Sequence, residues 1–339
     1  MNKVLHKLAD RMLAAARQPG AVFLYPHVGI DGDALCSALA LMIALRRAGV
    51  RVRLLLDEKV PDRLTFLPSL DLIETYSEDQ LTILAADQQL AMAIDCSDAE
   101  RTGHRQKLFS LAPEAAVIDH HIARGPITGL HWTDTSAAAT GEMVFDLISL
   151  LEKRLDLKLL DTEIETLLMT ALISDTGGFV YSNTSSRTFQ TASCLMEGEI
   201  NLRQITYQLF DLTSQERMRL MGRVFTDARF MYDGRLALAT ADQKLLEEYG
   251  ATDADLEGII AHLRNVAGVE VAFMIRELRA GYLRVNIRSS DHFNASDFAH
   301  QYGGGGHAKA AGFQLKEMTL EQAATLIADK AGEWLSADR

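Results

Sequence analysis

Apolar runs of strand length alternate with helical patterns along the N-terminal part of the chain. Four runs, at 21–25, 50–56, 90–94 and 115–118, have the length and composition of buried strands. Helical periodicity covers 34–47, 140–153 and 161–173, and an amphipathic helix precedes the first run. Strands that alternate with helices favour a parallel sheet. The pattern therefore predicts an α/β domain with a Rossmann-like parallel sheet.

The pattern changes near residue 228. Two short runs, 228–232 and 235–240, flank Asp233-Gly234, a dipeptide typical of a tight hairpin turn. A helix near 254–266, strands at 269–277 and 281–287, a glycine loop at 303–306 and a last helix from Leu320 follow. This predicts a smaller α/β domain with a mixed sheet. We expect a first domain at 1–205, a helical connector at 206–227, a second domain at 228–339, and an active site in the cleft between the domains.

Charge and composition limit the classes of function. Asp and Glu total 46 against 34 Lys and Arg, and a net charge of −12 disfavours binding to long duplex nucleic acid. Short phosphorylated ligands remain compatible, because a metal ion can reverse the local charge. The three widely spaced cysteines form neither a disulfide framework nor a zinc pattern. With no targeting segment and no apolar run near the ~20 residues of a membrane span, we expect a soluble cytoplasmic protein without membrane partners.

Ionisable residues follow the carboxyl ends of three predicted strands and of one helix. These residues are His27, Asp31, Asp33, Asp95, Asp119, His120, His121 and Asp175. Singly, each has an ordinary structural interpretation, such as a turn, a core histidine or a helix cap. Together they favour a metal site, because ligands bind at the carboxyl ends of parallel strands.

The ligand types narrow the choice of metal. Imidazole with carboxylate suits Mn²⁺, Fe²⁺, Co²⁺ or Zn²⁺ better than Ca²⁺. The number of candidate ligands exceeds the need of one ion and suits two. A shared carboxylate would hold two ions about 3.5–4 Å apart, the spacing that supports an in-line phosphoryl displacement by a water between them.

The motifs resemble those of a known family. HVGIDGDA, AMAID, VIDHH and SDTGGF look like motifs one to four of the DHH phosphoesterase family, in family order. RVNIRSS and YGGGGHAKAAGF look like the DHH-associated C-terminal domain of its nanoRNase and pAp-phosphatase (NrnA-type) branch. The resemblance covers nearly the whole chain. At two positions that supply no ligand, Ile30 and Cys36 stand where family members often carry Pro and Gly.

The resemblance implies roles for the residues at the strand ends. The residues implied for one metal ion are His27, Asp31 and Asp95. Those implied for the other are Asp33, Asp95, His120 and Asp175, so that Asp95 bridges. The catalytic residues would be His121, facing the phosphate, and Asp119, orienting either His120 or His121. Two divalent ions per chain are expected, with Mn²⁺ as the preferred metal.

The second domain is expected to clamp the substrate. Consecutive glycines can bring backbone N–H groups close to a phosphate, and arginine is its natural bidentate partner. The residues implied for this clamp are Arg288, Ser289, Gly303, Gly304, Gly305, Gly306 and His307. In the resembling family they hold the far end of a short nucleotide chain. The alternative is a flexible loop with a surface histidine, and Arg264 is a weaker candidate for the same pocket.

The expected activity is hydrolysis of short oligoribonucleotides, linear dinucleotides included, to mononucleotides. Removal of the 3′-phosphate from adenosine 3′,5′-bisphosphate would use the same groups. The alternatives are a manganese-dependent inorganic pyrophosphatase and a nucleotide sensor that does not hydrolyse its ligand. The sequence leaves the oligomeric state open, a homodimer being one option.

Overall fold

The structure is a computed structural model that describes residues 3–122, 127 and 129–337. The chain divides into two compact units, Met1–Leu212 and Thr213–Arg339. The division lies inside the stretch predicted as a helical connector, and the exact domain boundaries stay a prediction.

The first unit is built on a six-stranded parallel sheet. Its strands are β1 (Ala21–Pro26), β2 (Val52–Leu56), β3 (Glu74–Thr75), β4 (Gln88–Ile94), β5 (Glu114–Asp119) and β6 (Leu130–Thr133). They lie in the order β3-β2-β1-β4-β5-β6, and every neighbouring pair is parallel. The predicted parallel sheet is confirmed. The sequence analysis missed β3 and β6, the two short strands at the sheet edges.

Helices cover both faces of this sheet. They are α1 (Lys3–Ala15), α2 (Gly32–Arg47), α3 (Leu81–Asp87), α4 (Gln106–Ser110), α5 (Thr140–Leu155), α6 (Thr162–Thr176), α7 (Ser186–Leu195) and α8 (Leu202–Thr206). Along β1, Val22 and Leu24 belong to the core formed with α1, α2, α5 and α6, while Phe23 and Tyr25 belong to the core formed with α3 and α4. Burial on both faces explains why this strand is a continuous apolar run.

The second unit holds a mixed six-stranded sheet. Its strands are β7 (Arg229–Met231), β8 (Leu236–Ala241), β9 (Val271–Arg279), β10 (Tyr282–Ser289), β11 (Gly305–His307) and β12 (Ala310–Lys316). The order is β11-β12-β10-β9-β8-β7; β8 and β9 are parallel, and the other pairs are antiparallel. The predicted mixed α/β class is confirmed, and the predicted hairpin is β7–β8.

The helices of the second unit are short apart from its first and last. They are α9 (Gln215–Asp227), α10 (Gln243–Tyr249), α11 (Ile259–Arg264), α12 (Ala295–His300) and α13 (Leu320–Ala337). The single helix predicted at 254–266 is divided, because Gly258 at φ 82° separates a 3₁₀ turn from α11. Helical structure before α9 is interrupted at 212–214, where Ser214 caps α9 by accepting from the Arg217 N–H. In the described part of the chain, no helix has the length and apolar character that crossing a bilayer requires.

Candidate metal centre

The site begins where the order of strands reverses. Chain order runs outward from β1 in both directions, through β2 to β3 and through β4 to β6. Ligands bind outside the carboxyl ends of the strands at such a switch point. Pro26 pairs with Ile94 in the β1–β4 register, so His27 and Asp95 leave the sheet side by side. The fold thereby brings two of the predicted ligands together.

Asp95 lies between two histidines. Its Oδ2 is 3.4 Å from His27 Nε2, and its Oδ1 is 3.6 Å from His120 Nε2. Both imidazoles direct Nδ1 to a backbone carbonyl, that of Val28 for His27 and that of Ala137 for His120. This leaves the two Nε2 atoms facing the carboxylate. Asp95 therefore has the placement of a ligand that two ions could share.

Asp31 completes the group around His27. Its Oδ2 lies 3.6 Å from His27 Nε2, while its Oδ1 accepts from the Ala34 N–H and caps α2. Burial lowers the pKa of His27, but the bonds to Asp31 and Asp95 outweigh it and raise the pKa to about 10. The surroundings of His27 thus strongly favour a positive charge.

Asp33 is fully buried and is held by the start of α5. Its two oxygens accept from the N–H groups of Thr140, at 2.7 Å, and Gly141, at 2.9 Å, and from the Ser37 hydroxyl at 2.9 Å. Burial, together with the nearby carboxylates of Asp95 and Asp175, raises its pKa well above the ordinary value. Packing so many carboxylates together is unfavourable unless a cation joins them.

His120 carries the observation that best tests the fit of a metal. Its Nε2 is buried and has no hydrogen-bond partner among the described residues. The same atom lies within 3.4–3.8 Å of carboxylate oxygens of Asp175, Asp95 and Asp33. Burial and the charge of Asp95 raise the pKa of Asp175 to about 6, although His120 lowers it. An imidazole nitrogen among three carboxylates fits a divalent transition-metal ion.

Potential ligand atoms converge in three overlapping groups. The groups are His27, Asp31 and Asp95; Asp33, His120 and Asp175; and Asp95, His120 and His121. All six residues predicted as metal ligands belong to at least one group. The donor set of nitrogen and carboxylate oxygen is the one expected from the sequence, and the residues present fit divalent metal ions.

Asp119 contacts His121 rather than His120. Its Oδ1 accepts from the backbone N–H of His121 at 3.0 Å and lies 2.9 Å from His121 Nδ1. That hydrogen bond is the largest cause of the raised pKa of His121. Burial raises the pKa of Asp119, but the bonds from His121 outweigh it and lower the pKa. The sequence left open whether Asp119 orients His120 or His121, and this contact favours His121.

The backbone at Asp95 is unusual. Asp95 has φ 60°, in the left-handed region that a residue with a side chain rarely adopts. Its N–H donates to the carbonyl of Ile118, which fixes the turn after β4 against β5. Such strain persists where the surrounding structure enforces it, and it is concentrated at functional sites.

Two supporting residues were missed by the sequence analysis. The Thr140 hydroxyl donates to Asp95 Oδ1 at 2.7 Å, so the N-terminus of α5 binds both Asp33 and Asp95. Arg105 is fully buried, donates to the carbonyls of Pro26 and Leu55, and pairs with Asp57 at 2.9 Å. It thereby ties the ends of β1 and β2 together. Both residues are far in sequence from what they contact, so no local pattern identifies them.

Ile30 and Cys36, the two departures from the family motifs, are each accommodated by the surrounding structure. The Ile30 N–H, which a proline would lack, donates to Glu58 Oε1 at 2.8 Å. Cys36 is fully buried inside α2, and burial raises the pKa of its thiol. The thiol is therefore inaccessible and in its unreactive protonated form.

The residues predicted to clamp the substrate lie in the second unit and differ in their surroundings. Arg288, Gly305 and Gly306 line a cavity of about 570 Å³, whereas Gly303 and Gly304 line a neighbouring cavity of about 440 Å³. His307 is exposed at the end of β11. Ser289 is buried and its hydroxyl donates to the carbonyl of Ala308, so it supports the turn that follows His307.

Part of the predicted glycine loop is a strand. Gly305–His307 forms β11 and pairs with β12. A Cβ at Gly304 would lie 2.3 Å from the carbonyl oxygen of Gly312, and one at Gly306 would lie 2.4 Å from that of Ala310. These two glycines are therefore required by close backbone packing, whatever they bind.

Comparison with known proteins identifies related chains. Residues 21–172 match the family model for the DHH family, N-terminal domain, and residues 236–337 match the model for the DHHA1 domain. The chain is 33% identical to the bifunctional oligoribonuclease and PAP phosphatase NrnA of Thermus thermophilus, over 97% of this chain and 94% of the relative.

Two solved structures share the fold. An exopolyphosphatase-related protein from Bacteroides fragilis has a TM-score of 0.86 at 23% identity, covering 98% of both chains. RecJ of Thermus thermophilus in complex with Mn²⁺ has a TM-score of 0.60 at 15% identity, covering 99% of this chain and 55% of RecJ. The resemblance inferred from the motifs is confirmed by the matched domains and the relative. The chain belongs to the DHH family.

Proposed function

We propose that the protein is a metal-dependent phosphoesterase that hydrolyses short oligoribonucleotides to mononucleotides and removes the 3′-phosphate of adenosine 3′,5′-bisphosphate. The observation that carries the proposal is the cluster of carboxylates around Nε2 of His120, an atom with no hydrogen-bond partner among the described residues. The similarity to the oligoribonuclease and PAP phosphatase NrnA, over nearly the full length of both chains, supports the substrate class.

Two divalent ions would be held by the six predicted ligands. His27, Asp31 and Asp95 form one set, and Asp33, His120 and Asp175, again with Asp95, form the other. When bound, such ions neutralise phosphate oxygens and lower the pKa of water so that it attacks at neutral pH. Mn²⁺ suits this mixture of ligands, and the related fold of RecJ carries it.

The protein supplies orientation and proton transfer. Thr140 and the N–H groups at the start of α5 fix the Asp95 and Asp33 carboxylates before any ion arrives. Asp119 holds Nδ1 of His121, so Nε2 is the nitrogen left to contact the substrate. The side chain of His121 is about half exposed, in keeping with a residue that faces a ligand. We assign it to the phosphate or the leaving oxygen, with Asp119 setting its tautomer.

Substrate binding in the second unit is assigned to Arg288, Gly303–Gly306 and His307. Arg288 is exposed on β10, and its side chain has no hydrogen bond or ion pair with a residue that the structure describes. We expect Arg288→Ala to raise the KM for a dinucleotide by about tenfold, since charge-assisted hydrogen bonds to phosphate are lost. Mn²⁺ affinity should not change. Ser289 serves this region by supporting the 307–309 turn.

A turnover panel in Mn²⁺ tests the proposal. It compares an RNA dinucleotide, a pentanucleotide, a long RNA, adenosine 3′,5′-bisphosphate and inorganic pyrophosphate. Fast release of mononucleotides from the short RNAs, with rates that fall as length grows, is the expected result. Pyrophosphate as the sole good substrate would make the enzyme a pyrophosphatase, and tight binding without any turnover would make the protein a sensor.

A charge-matched control accompanies the panel. Asp95→Asn removes the shared carboxylate and should lose all activities together. Asp10→Asn removes an exposed carboxylate on α1 and should leave every rate unchanged. Activity that survives Asp95→Asn would come from a contaminating enzyme or from another site.

A cytoplasmic location is part of the proposal and rests on the three free cysteines at 36, 96 and 194.

A further inference from the structure

Two arginines lie directly opposite each other in the sheet of the second unit. In the antiparallel β9–β10 register, Arg276 pairs with Arg284. Directly opposed residues in such a ladder have their Cβ atoms within about 5.5 Å, and like charges at that distance repel. A sheet that is built only for stability would avoid this pair.

The pair lies on the exposed side of β10. Along β10, Leu283, Val285 and Ile287 are buried, while Arg284 and Arg288 are exposed. On β9, Met274 and Ala272 are the register partners of Asn286 and Arg288. Both belong to the core that packs under α9 and α11. Those helices cover this face over β8 and β9. Helix α11 also approaches β10, and the cavity of about 570 Å³ lies between them, lined by Arg284 and Arg288.

The arginines of this cavity outnumber the carboxylates beside them. Arg276 Nη1 pairs with Asp253 Oδ2 at 2.8 Å, but its Nε is buried without a hydrogen-bond partner among the described residues. The side chain of Arg284 has no hydrogen bond or ion pair with any residue in the described ranges. Both arginines and Arg288 line the same cavity, as does one carboxylate, Glu257. This excess of positive charge occurs in a chain of net charge −12.

We propose that Arg276 and Arg284 form a second phosphate subsite, separate from the one assigned to Arg288 and the glycines. Arg284 and Arg288 are four residues apart on one face of a strand, about 13 Å along the sheet. Arg284 also lines the neighbouring cavity with Lys316 and Tyr302. The two cavities thus share Arg284. This inference rests on the proposed function and deepens it: the second unit holds two phosphate groups of one oligonucleotide.

The test measures binding without hydrolysis, using the full chain in EDTA. The probes are 5′-AMP and the 5′-phosphorylated dinucleotide pApA, which differ by one nucleotide and one phosphate. The wild type should bind pApA more tightly, and Arg284→Gln should weaken pApA binding about tenfold while leaving 5′-AMP unchanged. The slope of log Kd against log salt for pApA should fall by about 0.7, the value for one lost phosphate contact on a single strand.

Arg279→Gln is the matched control. Arg279 is exposed at the end of the same strand as Arg276, contacts the Tyr282 ring and lines neither cavity. The Arg279→Gln variant should bind 5′-AMP and pApA as tightly as the wild type does. An equal effect of Arg279→Gln would mean that general charge, not a subsite, attracts the ligand, and it would overturn the proposal.

Thermal unfolding separates binding from structure. Because Arg284 opposes Arg276, the ligand-free Arg284→Gln variant should unfold at the same Tm as the wild type or higher. A lower Tm with unchanged pApA affinity would give Arg284 a structural role and refute the subsite. If Arg284→Gln weakens pApA binding but none of the RNAs in the turnover panel is hydrolysed in Mn²⁺, the subsite stands and the proposed function fails.

Discussion

Replacing Thr140 by valine tests whether the start of α5 organises the metal centre. The change keeps the shape of the side chain and removes one buried hydroxyl, which donates to Asp95 Oδ1 at 2.7 Å. The backbone N–H of residue 140 still binds Asp33. The perturbation is therefore confined to the orientation of the Asp95 carboxylate.

The expected loss follows from that hydrogen bond. A hydrogen bond to a charged group contributes about 1.5–3 kcal/mol, which corresponds to a factor of roughly 10–100 in an equilibrium constant. Residues that orient metal ligands show the same range, about 10–100-fold in metal affinity. We expect Thr140→Val to bind Mn²⁺ ~10–100-fold more weakly, because Asp95 must be reoriented when the ions bind.

Isothermal titration with Mn²⁺ measures this directly and does not depend on turnover. Thr170→Val is the matched control: Thr170 is equally buried, in α6, and its hydroxyl donates to the carbonyl of Thr166. Both variants should lose some stability, but Thr170→Val should keep wild-type Mn²⁺ affinity. Mn²⁺ binding by Thr140→Val within twofold of the wild type would refute the role given to α5.

Three further predictions concern the shared ligand, the buried arginine and acid stability. Asp95→Ala should remain folded by circular dichroism yet show no phosphodiester hydrolysis; near-normal turnover would remove the two-ion model. Arg105→Met should lower the free energy of unfolding in urea by about 3–5 kcal/mol, since it leaves Asp57 buried without its partner; a loss below 1 kcal/mol would contradict this. Partial burial raises the pKa of Asp161, but Arg47 outweighs it and lowers the pKa. The stability that Asp161 adds is then present above its unfolded pKa of about 3.9 and is lost as the pH falls further. The free energies of unfolding of the wild type and Asp161→Asn, measured in urea, should therefore converge near pH 2. A difference that stays constant with pH would argue against the lowered pKa.

The sequence predicted the strands that carry the site better than those at the sheet edges. β1, β4 and β5 are buried on both faces and appear as apolar runs that end in ionisable residues. β6 was missed because three of its four residues, Leu130–Thr133, are only half-buried. At the ends of the central strands, an apolar run and the ionisable residues that follow it occur together. This is why the metal ligands could be predicted before the fold was known.

Local sequence patterns could not predict the residues whose contacts lie far away in the sequence. Thr140 is 45 positions from Asp95, and Arg105 is 79 positions from Pro26. Their roles depend on the strand order, which periodicity does not specify. The choice between His120 and His121 as the partner of Asp119 was also open, because adjacent residues can point either way when a strand ends.

The glycine run shows how one pattern can serve two purposes. Its composition suggested a phosphate-binding loop, but Gly304 and Gly306 are also needed where the backbone approaches β12 closely. Substituting these glycines would disturb packing and binding together. The arginines of β10 are the better probes of substrate binding, because their side chains are exposed and their removal leaves the sheet intact.

The number of Mn²⁺ ions bound per chain is the measurement that tests the central claim most directly. Titration of the metal-free protein, followed both by calorimetry and by dinucleotide turnover, should show two ions per chain, with full activity only when both are bound. Asp95→Ala should lose high-affinity binding of both. A single ion that suffices for full activity, or two ions that still bind tightly to Asp95→Ala, would contradict a centre built around one shared carboxylate.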